Sequence, residues 1–315
     1  VRIAFVDSVH PLLADRLQAE GHQCEALQHC DDESLAQALA HAEGIVVRSR
    51  VLSRETLANA TDLKFIGRVG AGLENIDRDH CEARGITVLN SPEGNRDGVG
   101  ELCVAQTLAL LKHTHRANAE VHAGLWSREE NRGSDLFGRT VGIIGFGHMG
   151  SAFAEKLAGF GVRVLAHDKY KKLRSTEKVH AAGLDDLLAQ SDIISLHLPL
   201  TPETRHYADA SFFHRVQKNI LLINSSRGGV LDTKALLDAM DRGKVLGAAL
   251  DVLEYERADL SGLDPTMDPA TQRRLFGHKN ILLTPHIAGV THEGKEKMAA
   301  VLAEKILTEF PHGRP

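Results

Sequence analysis

Short apolar runs alternate with amphipathic stretches along almost the whole chain, the beat of strand and helix that builds parallel sheets. Residues 2–6 read as a strand closed by Asp7, residues 12–19 as a helix stopped by Gly21, and residues 35–41 as a second helix. Ile45-Val46-Val47 is a buried strand followed at once by Arg48-Ser49-Arg50. Ser53 can cap a helix through Ala60, and residues 65–69 form a strand before the turn Gly70-Ala71-Gly72. Asp77 can cap a short helix ahead of Gly85 and a strand over 86–89. These elements predict a small doubly wound α/β domain. A long helical pattern then runs from about Val99 to Val121, and a loop over 124–136 carries Trp126, the only tryptophan. Trp126 reads either as a domain-edge core residue or as an intersubunit anchor; the second is preferred because tryptophan is enriched at the centres of interfaces.

The beat resumes with apolar strands at 141–144, 162–166, 192–197, 220–224, 248–252 and 281–284, which predict a second parallel sheet. Between the first two lies Gly145-Phe146-Gly147-His148-Met149-Gly150, with a helix expected from Ser151 and Asp168 closing the following strand. Glycines in such a turn permit a tight bend, let pyrophosphate approach the backbone and let helix pack on strand, while the helix N-terminus offers N–H groups to phosphate. The motif alone is weak, but strand, turn, helix, strand and carboxylate occur in the required order, which assigns a dinucleotide site. Asp168 at that position favours NAD, since a carboxylate accepts bonds from ribose hydroxyls and repels a 2′-phosphate. The tail over 293–310 is a helix with Met298, Val301, Leu302 and Ile306 on one side; with no strand left to serve, it is expected to pack on the first domain.

A chain of 315 residues has room for two such domains. Its net charge of -5 gives no support for nucleic acid or an anionic membrane as partner. Cys24, Cys30, Cys81 and Cys103 fall in no ligand or C-x-x-C pattern, so they read as reduced thiols and no metal site is expected. With no apolar run of membrane-spanning length and an opening strand in place of a signal peptide, the expected location is cytoplasmic.

Ligands of open α/β sheets bind beyond the carboxyl ends of the strands, so polar groups there carry the chemistry. Arg227 in Asn224-Ser225-Ser226-Arg227-Gly228-Gly229, Glu254 or Glu256 after Asp251, and His286 in Thr284-Pro285-His286 each follow a strong strand. Hydride transfer at an alcohol or carbonyl needs one group that exchanges a proton with oxygen and one cation that holds an anion. His286 suits the first need and Arg227 the second, with a carboxylate from Glu256 orienting the ring. Asp251 reads either as a cofactor contact or as a cap for local backbone.

Gly145 to Gly150, His197-Leu198-Pro199, Asn224 to Gly228 and Thr284 to Gly289 together resemble the D-isomer-specific 2-hydroxyacid dehydrogenases, over nearly the whole chain. The resemblance implies two doubly wound parallel-sheet α/β domains. One is a Rossmann NAD-binding domain, placed at 98–286; the other is a smaller flavodoxin-like substrate domain from 1–97, completed by 287–315. It implies catalysis by Arg227, Glu256 and His286, a choice that selects Glu256 over Glu254. It implies cofactor contacts at Gly145, Gly147, His148, Met149, Gly150, Asp168, His197, Pro199, Ser226 and Asp251, and substrate contacts at Arg48, Ser49, Arg68, Gly70, Gly72 and Asn95. A homodimer acting on a small anionic 2-hydroxy or 2-oxo acid is implied as well. Arg96 and Gly100 depart from the usual residues of the family. Because Arg48, Arg50, Arg68 and Arg96 exceed what one carboxylate needs, the expected reaction is oxidation of 3-phospho-D-glycerate to 3-phosphohydroxypyruvate, on the way to serine. The alternatives are reduction of glyoxylate or hydroxypyruvate, a 4-phosphoerythronate enzyme, and a non-catalytic NAD-binding regulator.

Overall fold

A computed structural model of the protein describes residues 1–257 and 261–311. Backbone contacts divide it into two units, one comprising Val1–Arg96 with the tail from Val290, the other Asp97–Arg257 with Gly262–Gly289.

The first unit holds a parallel sheet of β1 (Arg2–Phe5), β2 (Gln23–Ala26), β3 (Gly44–Val47), β4 (Phe65–Arg68) and β5 (Thr87–Asn90) in the order β2-β1-β3-β4-β5. That is the flavodoxin-like order, with its topological switch point between β1 and β3. Helices α1 (Leu12–Ala19), α2 (Asp32–Ala38), α3 (Arg54–Leu57) and α4 (Arg78–Ala83) connect the strands. Asp31, Ser53 and Asp77 each cap the helix that follows by accepting a backbone N–H three residues on. Strand β2 went unread in the sequence because it lies at the sheet edge with no buried residue, so it shows no apolar run. One face of the sheet carries Val6, Leu35, Ile45 and Ile66, the other Ile3, Leu13, Leu17 and Phe65, on which Met298, Leu302 and Ile306 of the last helix pack. The tail thus docks on this unit, as its amphipathic pattern requires.

A helix α5 (Pro92–Leu111) leads into the second unit, and α6 (Thr114–His122) follows it. The single helix expected from Val99 to Val121 is broken at His113, which adopts left-handed backbone with φ 53°. Leu111 offers its carbonyl to the N–H of Ser134 at 2.8 Å instead of continuing the helical ladder. The helix also begins earlier than expected, where Gly94 passes so close to the Met298 backbone that an added Cβ would lie 2.3 Å from its nitrogen.

The second sheet comprises β6 (Thr140–Ile144), β7 (Arg163–His167), β8 (Val179–Ala181), β9 (Ile193–Leu196), β10 (Ile220–Asn224), β11 (Val245–Leu250) and β12 (Ile281–Leu283). Its order, β12-β11-β10-β9-β6-β7-β8, is parallel throughout and is that of a Rossmann fold with its switch point between β6 and β9. The seventh strand, β8, is a short exposed edge that hydrophobic patterning does not reveal. Helices α7 (His148–Lys156), α8 (Leu184–Gln190), α9 (Ala210–Arg215), α10 (Thr233–Asp241) and α11 (Pro269–Gly277) belong to this unit, and α12 (His292–Glu309) returns to the first. Helix α7 starts at His148, inside the glycine motif, three residues ahead of the expected start at Ser151. No helix among the described residues is long and apolar enough to cross a membrane.

Candidate active site

At the switch point of the second sheet the glycine turn leaves β6. Gly145 has φ +88°, and an added Cβ there would lie 2.3 Å from the carbonyl of His197, where the loop after β9 passes. Gly150 abuts the carbonyl of Gly145, which a Cβ would approach to 2.2 Å. Gly147, the N-cap of α7, differs: a Cβ there meets nothing within 4 Å. Packing thus requires glycine at 145 and 150, whereas open space lies beside Gly147 at the start of a helix whose first N–H groups lack intrahelical partners. This arrangement fits a dinucleotide pyrophosphate. His148 is exposed at the helix start and Met149 packs partly into the core beneath it.

Asp168, just past β7, accepts from the Phe146 N–H at 2.9 Å through Oδ2 and from Tyr170 and Lys171 N–H at 3.0 and 2.9 Å through Oδ1. Burial works against its charged form, and the three amides overcome that, holding the carboxyl below its ordinary range. Pro199 is exposed, with its carbonyl accepting from the Thr204 hydroxyl.

His197 shares a hydrogen bond of 2.8 Å with Ser195 Oγ through Nε2, while Nδ1 is sealed from solvent with no hydrogen-bond partner among the described residues. Burial lowers its pKa to about 4. A depressed value means the unfolded chain binds the extra proton first, so the stabilising contribution is complete above about 6.5 and is lost as pH falls through about 4. Over that window the loss is on the order of 3 kcal/mol. Denaturant titrations from pH 7 down to 4.5 should show this slope, and His197→Gln should remove it.

Arg227 follows β10 in a turn wrapped by Asn224, a fully buried residue whose role the sequence did not disclose. Its Oδ1 accepts from Ser226 N–H at 3.1 Å and Ser226 Oγ at 2.8 Å, and its Nδ2 donates to the Arg227 carbonyl at 3.0 Å. Ser226 is thereby engaged with Asn224. Gly228 comes next, so close to the Leu253 carbonyl that an added Cβ would lie 1.8 Å from the oxygen. The turn bearing Arg227 is therefore seated on the segment that carries Glu254 and Glu256.

Those two glutamates part company. Glu254 Oε1 meets Nε2 of His206 at 2.7 Å and its Oε2 accepts the Thr233 N–H at 3.0 Å. Glu256 accepts its own turn's Leu253 N–H at 2.8 Å through Oε1, and its Oε2 lies 3.0 Å from Nδ1 of His286. His286 has left-handed backbone at φ 55°, a conformation unusual for a residue with a side chain. Asp251 fixes it. This aspartate is fully buried; its carbonyl accepts His286 N–H at 2.7 Å and its carboxylate accepts from Thr284 Oγ1, Ile287 N–H and Ala288 N–H at 2.5, 2.9 and 2.8 Å. Of the two readings of Asp251, the structure displays the local backbone cap. The same bonds keep Ile287 to Gly289 with the second unit, three residues beyond the boundary drawn at 286. Cys103 shares a 3.1 Å hydrogen bond with Ser225, and burial pushes its thiol up to about 12, so it is an unreactive core group.

The substrate candidates lie on the first unit. Arg48 and Ser49 follow β3 at that sheet's switch point, and there the sequence reading missed Asp7. Its Oδ2 accepts from the backbone N–H groups of Arg48, Ser49 and Arg50 at 2.7, 2.7 and 2.9 Å. Arg50 donates through Nη2 to the Cys30 carbonyl at 3.0 Å, and Asn75 holds the Arg50 carbonyl at 2.8 Å. The Arg68 guanidinium crosses Gly70, whose φ of +137° only glycine adopts readily. Gly70, a substrate contact in the sequence-based expectation, gives its N–H to Ser91 Oγ at 3.1 Å. Asn95 Oδ1 is buried with no hydrogen-bond partner among the described residues.

A Rossmann sheet with an open glycine cradle at its switch point and an imidazole–carboxylate pair past its later strands defines the class of dinucleotide-linked oxidoreductases. Comparison with known proteins gives the family. Residues 104–288 match the D-isomer specific 2-hydroxyacid dehydrogenase, NAD binding domain. The chain is 34% identical over 284 residues to a hydroxypyruvate reductase of Thermotoga maritima, covering 90% of each. It is also 34% identical over 305 residues to a D-3-phosphoglycerate dehydrogenase of Mycobacterium leprae, covering 94% of this chain but only 56% of that one. A D-lactate dehydrogenase structure from Treponema pallidum superposes with a TM-score of 0.82 at 27% identity, covering 100% of this chain and 98% of that one. The chain belongs to the D-isomer-specific 2-hydroxyacid dehydrogenases, and it is an NAD-dependent oxidoreductase for a 2-hydroxy acid.

Proposed function

We propose that the protein reduces a small 2-oxo acid with an uncharged tail, glyoxylate or hydroxypyruvate, to the D-2-hydroxy acid, in preference to handling a phosphorylated acid. The observation that carries this reading is Asp7. Three convergent backbone N–H groups form an anion nest, and a phosphate at the Arg48–Arg50 loop would need such donors. Here a carboxylate of the chain itself already fills the nest, and its negative charge opposes a second anion beside it. Arg50 donates through Nη2 to a backbone carbonyl of its own unit, so that part of its guanidinium is already engaged.

In this reading Arg227 holds the substrate carboxylate by two parallel bonds. Glu256 keeps the Nδ1 proton of His286 directed at itself, so Nε2 is the nitrogen that gives a proton to the C2 carbonyl oxygen, and takes it back in oxidation. Bound NADH supplies the hydride to C2. Left-handed backbone at His286, imposed by Asp251, sets where that nitrogen points. The same reading carries the homodimer, for which Leu125 and Trp126, 55% and 80% exposed, offer an apolar contact in place of a core role.

Initial rates with NADH on hydroxypyruvate, glyoxylate and 3-phosphohydroxypyruvate test the assignment. The plain acids should be favoured in kcat/KM by roughly tenfold or more, the scale of a missing charged hydrogen bond. Asp7→Asn should narrow the gap. A preference for the phosphorylated acid would restore the phosphoglycerate reading, and no turnover of any acid with NAD binding intact would favour the regulator.

A further inference from the structure

Lys169 and Tyr170 directly follow Asp168, and one carboxylate, that of Glu203, holds both the lysine ammonium and the tyrosine hydroxyl. Lys169 also lies 5.5 Å from the centre of the Tyr170 ring, so the three groups form one cluster. Lys169 and Tyr170 leave the carboxyl end of β7, Glu203 lies in the loop after β9, and β7 and β9 flank β6 on either side. The contact therefore ties together the two loops that border the glycine turn.

Charge gives the cluster a consequence for the cofactor. With NAD placed by the glycine turn and Asp168, the adenosine ribose lies at the end of β7, where a lysine next to the aspartate is a ready partner for a 2′-phosphate. Left to itself, Lys169 would offset the repulsion that Asp168 exerts. In the structure its ammonium is neutralised and turned to Glu203. We propose that Glu203 is a specificity-determining residue: by holding Lys169 it denies a 2′-phosphorylated dinucleotide its cation, leaves the negative charge of Asp168 unopposed, and so restricts the site to NAD. Lys169 and Glu203 are 65% and 45% exposed, and such a pair contributes little to stability, so the effect resides in the position of charge and the variants should fold.

The inference rests on the cofactor placement and not on the choice of substrate, and it is tested by binding without turnover. The full chain is titrated calorimetrically with adenosine 2′,5′-bisphosphate and with 5′-AMP. Glu203→Gln should tighten the bisphosphate by roughly fivefold or more relative to 5′-AMP, the scale of one unit charge a few ångströms away in a wet site. Added salt should shrink the gain. Lys169→Ala alone should leave the ratio near that of the parent, and the Glu203→Gln, Lys169→Ala double variant should lose the gain. An unchanged ratio in Glu203→Gln, or a gain that survives loss of Lys169, overturns the proposal. Failure of both nucleotides to bind overturns it together with the cofactor placement. Failure to reduce any 2-oxo acid, with these ratios as expected, overturns only the proposed function.

Discussion

His286→Ala should lower the rate of the chemical step by roughly 10²–10⁴, the scale of general acid/base catalysis, while nucleotide affinity barely moves. The expectation rests on what surrounds the ring. Its Nδ1 faces Glu256 Oε2 at 3.0 Å, its side chain is 28% exposed, and its backbone is held at φ 55° by a fully buried aspartate. A residue kept in left-handed conformation by several bonds is one whose direction the fold over-determines, as proton transfer requires. Single-turnover mixing of enzyme, NADH and 2-oxo acid reads the chemical step directly. Turnover close to that of the parent, with chemistry shown to limit the rate, would assign the proton to another group. Glu256→Gln, which keeps a neutral acceptor beside the ring, should fall less than His286→Ala, whereas Glu254→Gln should fall less again, because Glu254 is bound to His206 and to the start of α10.

How much of this could be read from the chain depended on whether a feature was local. Strands β6, β9, β10 and β11 are buried along nearly their whole length and announce themselves as apolar runs. Edge strands β2 and β8 show no such run, since a strand exposed at the rim has little to bury. The helix break at His113 depends on Ser134, whose N–H draws off the Leu111 carbonyl from beyond a loop, and periodicity contains nothing of that. The candidate site divides the same way. Arg227, Glu256 and His286 stand out because each follows a strong strand, but the pairing of Glu256 with His286 and of Glu254 with His206 is a matter of contact between distant segments. Asp7 is one more polar residue at a strand end until the amides 41 to 43 positions later close on it. A count of arginines cannot see a carboxylate already seated beside their backbone.

Gly228→Ala should cost at least about 10² in kcat/KM, because it forces apart the two segments that bear Arg227, proposed to hold the substrate anion, and Glu256, the partner of the proposed acid/base His286. An added methyl would lie 1.8 Å from the Leu253 carbonyl oxygen, 2.0 Å from its carbon and 2.5 Å from the Glu254 nitrogen. These are backbone atoms, with no flexible side chain to swing aside, so one segment must shift. Leu253 cannot move alone: its N–H is bound to Glu256 Oε1 at 2.8 Å, and Glu254 is anchored to α10 through the Thr233 N–H at 3.0 Å. On the other side, the Asn224 side chain holds the Arg227 carbonyl at 3.0 Å, so the turn is bound as well. A displacement of about an ångström between binding and proton-transfer groups is enough to lose two orders of magnitude in rate. Overpacking of this kind also lowers stability by about 1–3 kcal/mol. NAD titration separates the local effect from general unfolding, since the glycine turn after β6 is remote in sequence and should still bind. Gly159→Ala, where an added methyl meets nothing within 4 Å, supplies the control and should keep activity within about twofold, in line with ordinary surface substitutions. Full activity in Gly228→Ala would mean that the Arg227 turn and the Glu256 segment work independently, and that their close approach has no part in catalysis.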